Sequence, residues 1–157
     1  MQAIETVVKT APAMRVARFT HAVPGYGTDH VDQVYEKYLP DFWAALVRLG
    51  LELGPGVAEF EEPKGTDDVL VHLGYEVGAQ RVPHINGVHV VELEEVEVVS
   101  TLVRGPMREA TGVYEALVRW VETSGYRLDG WPRQLHHQWE FPDPDAQLTE
   151  IQLPIAR

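Results

Sequence analysis

Cysteine is absent from the 157 residues. Disulfides, thiolate zinc sites and cysteine nucleophiles are therefore excluded together. Cationic residues are scarce, thirteen lysines and arginines against twenty-four aspartates and glutamates, a formal charge of −11. A surface of that sign repels phosphate backbones, so direct nucleic-acid binding is not expected. It attracts cations at long range, although the plain reading of net negative charge is solubility. No apolar run approaches the roughly 20 residues that a bilayer span needs. Met1-Gln2-Ala3-Ile4-Glu5 lacks the basic region and apolar core of a secretory signal. A cytoplasmic location without membrane contact is the default expectation. Serine triads, phosphate loops and nucleotide-binding glycine patterns are missing. The seven histidines contain no H-x-H or H-x-x-x-H pair, so neither a metal site nor a cofactor is expected.

The length and an apolar fraction of 45% suit one compact domain with a real core. Alternating or branched apolar stretches predict strands over 4–10, 14–20, 57–61, 69–75, 88–93, 96–103 and around 134–141. Val31, Val34, Tyr35, Tyr38, Leu39, Phe42, Leu46 and Leu49 recur at spacings of three and four, predicting a helix over 29–49. Pro40 lies inside it, where a kink or break is expected. A second helix is predicted over 107–124, its apolar face carrying Ala110, Val113, Tyr114, Leu117, Trp120 and Val121. The last strand, 148–155, sets Thr149, Ile151 and Leu153 against Glu150 and Gln152 at a period of two. With the apolar set on the core, Glu150 projects from the opposite face, as solvent-side polarity or as the floor of a concave site.

The order of elements repeats. Ala45-Leu46-Val47-Arg48 recurs as Ala116-Leu117-Val118-Arg119, and a glycine–proline turn follows each helix, Gly54-Pro55 and Gly130-Trp131-Pro132. Residues 68–73 align without gaps on 146–151, which pairs His72 with Glu150. We read the chain as one domain of two β–α–β–β-like repeats, about 1–78 and 88–157, with a linker over 79–87. If the halves are related by a pseudo-two-fold axis, His72 and Glu150 point into a shared groove.

These halves resemble the GyrI-like small-molecule-binding domain, the effector module of AraC-type and MerR-type multidrug-sensing regulators. The residues that carry the likeness are Gly105, the core Tyr114-Glu115-Ala116-Leu117-Val118-Arg119-Trp120, the Gly-x-Pro turn, and Thr149-Glu150-Ile151 with Pro154-Ile155. The resemblance implies an α+β (SHS2/GyrI-like) fold of eight antiparallel strands, with two helices on one face and a ligand cleft on the other. It implies that Glu150 sits at the base of the cleft and meets lipophilic cations, with Gln152 on the same wall. Where relatives carry glutamate and tyrosine after the turn proline, this chain has Gln134 and His136. His72, Trp131, His136 and Trp139 are then candidate lining. No helix-turn-helix precedes 4–10, so a stand-alone binding protein working with a separate transcription regulator is expected. The alternative that the resemblance offers is a hydrolase opening cyclopropane-containing DNA alkylators, with Glu150 activating water and His136 or His72 replacing the tyrosine. A third reading is an interaction protein that has lost its ligand.

Overall fold

The computed structural model describes residues 2–27, 29–106, 110–138 and 146–157. Among these, the chain forms β1 (Gln2–Ala11), β2 (Met14–Val23), α1 (His30–Arg48), β3 (Gly56–Glu61), β4 (Val69–Glu76) and β5 (His89–Leu93). There follow β6 (Val96–Arg104), α2 (Thr111–Thr123), β7 (Arg127–Leu128), β8 (Arg133–Gln138) and β9 (Leu148–Ala156). The α+β class, with eight antiparallel strands and two helices, is the one expected from the sequence; the two-residue β7 is additional. Two compact units are present: Met14–Leu93, and Met1–Ala13 together with Glu94–Arg157.

In the contiguous unit the strand order is β3-β4-β2-β5. Phe19 and His21 of β2 and Tyr75 of β4 meet α1, whose Val34, Leu39, Phe42 and Leu46 are buried. Phe42 packs between Phe19, with ring centroids 4.9 Å apart, and Tyr75, at 6.4 Å. The expected break at Pro40 does not occur: α1 runs through it. Proline there removes the bond to the Glu36 carbonyl, but both residues are exposed, so water can serve that oxygen. β2 and β4 approach closely at Gly74. A Cβ on Gly74 would run into the Ala17 carbonyl oxygen and stand 2.6 Å from the Arg18 Cα.

In the other unit the order is β1-β6-β9-β8, and β7 also pairs with β9. Val99, Val103, Ile151, Leu153 and Ile155 form one core with Leu117 and Val121 of α2 and with Ala110 just before it. These are the odd positions of β6 and β9, so alternation sends Ser100, Glu150 and Gln152 to the face away from the helix. β9 lies between β6 and β8 as β4 lies between β2 and β3. The first strands are exchanged: β1 leads into β2 but pairs with β6, and β5 leads into β6 but pairs with β2. Residues 107–109 and 139–141, expected to start the second helix and to end the strand before the last, lie outside the described residues.

Candidate functional site

Burying a carboxylate costs several kcal/mol unless partners replace its water. Glu150 is 4% exposed and has four partners among the described residues. Ser100, diagonally across on β6, donates its hydroxyl to Oε2 at 2.7 Å. Gln152, two residues along β9, donates Nε2–H to the same oxygen at 2.8 Å. The Lys9 ammonium, reaching in from β1, stands 2.7 Å from Oε2. His137 of β8 donates Nε2–H to Oε1 at 2.9 Å. Burial pushes the Glu150 carboxyl up. The hydrogen bonds from Gln152, Lys9, His137 and Ser100 outweigh it and hold the group down at about 2. Glu150 is thus an ionised carboxylate set in a sheet face. Gln152 Oε1 is buried and has no hydrogen-bond partner among the described residues, leaving a bare acceptor dipole beside that charge.

The candidate residues fall in different places. Gln152 joins Glu150 directly. His136 does not: it lies on the helix side of β8, 4% exposed, with Nδ1 3.3 Å from the Thr149 hydroxyl. Burial, and secondarily the neighbouring His137, push its imidazole down to about 3. Gln134 faces the same way and donates to the Tyr114 hydroxyl of α2 at 2.8 Å. The departures from the family pattern at 134 and 136 therefore lie against the helix and not beside Glu150. Their neighbour His137 is the histidine that reaches the carboxylate, at a register slip between His136 and Gln138. Leu135 pairs with Glu150 in the ladder, so strand parity was the signal that pointed to 137. Trp131 is exposed in the turn before β8, and Trp139 lies outside the described residues. Lys9 and Ser100 were not anticipated. Ser100 is a lone small hydroxyl inside an apolar run; nothing local marks Lys9.

His72 belongs to the contiguous unit, in a network of its own. The Thr20 hydroxyl lies 2.7 Å from His72 Nδ1, and His72 Nε2 lies 3.2 Å from Glu61 Oε1. Burial, aided by the Arg18 charge, lowers the pKa of His72 against the opposing pull of Glu61 and Glu59. The neutral ring therefore donates from Nε2 to Glu61 and accepts from Thr20 at Nδ1. Arg18 pairs with Glu59 at 3.2 Å. Arg18 and Thr20 also border an open cavity of about 670 Å³ whose remaining wall is residues 84–91. Glu150 does not line it. Among the described residues no group of three metal-ligating side chains is present, and no helix is long and apolar enough to cross a membrane.

This geometry defines an α+β protein with an ionised, hydrogen-bonded glutamate on the helix-free side of one sheet. Solved structures share the fold. The C-terminal domain of EcmrR is 21% identical over 100% of this chain and 99% of its own, with a TM-score of 0.79. In the EcmrR–DNA complex the match covers 98% of this chain at 20% identity and a TM-score of 0.77; this chain spans 57% of that one. SAV2435, solved bound to tetraphenylphosphonium, is 12% identical over 98% of this chain and 94% of its own, with a TM-score of 0.65. No protein-family model and no curated protein sequence matches this chain.

Proposed function

We propose that this chain is a small-molecule-binding protein and that it takes lipophilic cations, aromatic ones among them, at Glu150. The observation that carries this reading is the Lys9 ammonium 2.7 Å from Glu150 Oε2. A buried, ionised carboxylate that holds a lysine ammonium is chemically suited to hold a ligand's cation in its place. Coulombic attraction is stronger at such a site than on an open surface, and the free Gln152 acceptor adds to it. Exposed Trp131 is the candidate aromatic surface, offering roughly 0.5–2 kcal/mol of cation–π attraction. The tetraphenylphosphonium held by SAV2435, a lipophilic cation, supports the ligand class. The EcmrR–DNA complex supports a transcription regulator as the protein that acts on the binding signal.

The hydrolase alternative asks Glu150 to take a proton from water. A general base works best with a pKa near the operating pH, and a carboxylate held at about 2 has little affinity for that proton. Attraction suits it better than activation.

Calorimetric titration with tetraphenylphosphonium and with neutral triphenylphosphine oxide tests the reading. Glu150→Gln is expected to weaken phosphonium binding by about tenfold or more, a loss near 1.4 kcal/mol, and to leave the oxide within about twofold. Unchanged phosphonium affinity in the variant overturns the role of Glu150.

A further inference from the structure

The ion pair on Glu150 joins unequal partners. The glutamate side chain is 6% exposed and the lysine side chain 42%. Ser100 and Gln152, which donate to the same oxygen, are buried on β6 and β9. Lys9 comes instead from β1, which among the described residues has a strand neighbour on one side only, and its charge sits on a four-carbon flexible stem. If the ammonium swings into solvent, Oε2 keeps two fixed donors and Oε1 keeps His137. A partly exposed ion pair is worth little, commonly under about 1 kcal/mol, so the lysine can leave cheaply. With Lys9 in place, Oε2 has three donors within 2.8 Å among the described residues and no room for a fourth partner.

We infer that Lys9 is a tethered competitor for the ligand site: cations reach Glu150 by displacing its ammonium, and this residue sets affinity and charge selectivity. The inference rests on the binding reading of Glu150. A tethered group competes at an effective concentration in the millimolar range or above. A small polar cation that brings only charge exchanges one ammonium-like contact for another and gains nothing. A lipophilic cation adds buried apolar surface at about 25 cal/mol per Å² and prevails. Lys9 thereby filters for lipophilic cations against small hydrophilic ones, while a neutral ligand gains nothing from its removal.

The test uses Lys9→Met, which keeps the stem and removes the charge, and Lys9→Arg, which keeps the charge, beside Glu150→Gln. Lys9→Met is expected to bind tetraphenylphosphonium a few-fold tighter, up to about fivefold, to leave triphenylphosphine oxide unchanged, and to gain measurable affinity for tetramethylammonium. Lys9→Arg should show none of these gains. A second readout needs only the unmodified chain. Tetraphenylphosphonium should speed acylation of Lys9 by an amine-reactive ester relative to Lys37 and Lys64, because the displaced amine enters solvent. Equal or weaker phosphonium binding by Lys9→Met, or slower acylation of Lys9 in the presence of ligand, overturns the inference. If Glu150→Gln loses phosphonium binding while Lys9→Met gains none, the competitor role alone fails. If Glu150→Gln binds as tightly as the parent, the site reading fails with it.

Discussion

Replacing Glu150 by glutamine should change how stability depends on pH, by an amount set by its hydrogen bonds. The carboxyl is held at about 2 against an ordinary value of 4.5. A depressed acid stabilises the fold above the unfolded-state value and loses that contribution as pH falls through the folded-state value. The shift corresponds to about 3 kcal/mol at pH 7, and about 2 kcal/mol of it should be gone by pH 3. Lys9 and His137 are partly exposed, and solvent screening of their share makes these upper values. Glutamine cannot ionise, and its single amide oxygen can serve only one side of the network, either the donors of Ser100, Gln152 and Lys9 or that of His137. Urea unfolding of parent and variant at half-unit steps from pH 7 to pH 3 measures the effect. The other titrating groups are common to both proteins and cancel in the difference. The gap between the curves should be widest at pH 5.5 and above and should narrow toward pH 3. A gap that stays constant across that range refutes the network as the source of the ionised state.

Two further outcomes are expected. His136 is held neutral in the interior, pushed down to about 3 from 6.5, so the unfolded chain binds the extra proton below pH 6.5. Stability from this group is complete above pH 6.5 and falls by about 1.4 kcal/mol per pH unit toward pH 3; urea titrations of His136→Gln should lack that slope between pH 6.5 and 5. At Gly74 any side chain meets the β2 backbone, so Gly74→Ala should lower the unfolding free energy by about 3 kcal/mol or more. An unfolding free energy within about 0.5 kcal/mol of the parent's would show that β2 and β4 can separate there without loss.

What the sequence made legible follows its periodicities. Spacings of three and four located α1 and α2, and alternation assigned Glu150 and Gln152 to the helix-free face of β9, where they lie. Pro40 misled because a helix tolerates proline where the orphaned carbonyl meets solvent. Pairing was harder to read. Alternation in β1 and β2 does not tell which strands they join, and both join distant ones. That choice brings Lys9 to a glutamate near the other end of the chain, a contact with no local signature. The two adjacent histidines differ only by strand parity. The register of β8 on β9 sends His136 to the core and His137 to the carboxylate, and register is fixed by partners that a single strand does not reveal.

The exchanged first strands also bear on the order in which the chain can assemble. Met14–Leu93 is contiguous, so every pairing within it is available once those residues have left the ribosome. β1 is made earlier still but must wait for β6, with Thr10 pairing to Glu97. Closing that span costs on the order of 4 kcal/mol of chain entropy, and long closures of this kind slow folding. During synthesis β1 therefore lacks its partner strand; in the finished protein its Val7 and Val8 stay exposed, with Lys9 beside them. A lysine on an open edge discourages pairing with other chains. The same ammonium that ends on Glu150 in the finished protein thus begins as protection for a strand whose partner has not yet been made.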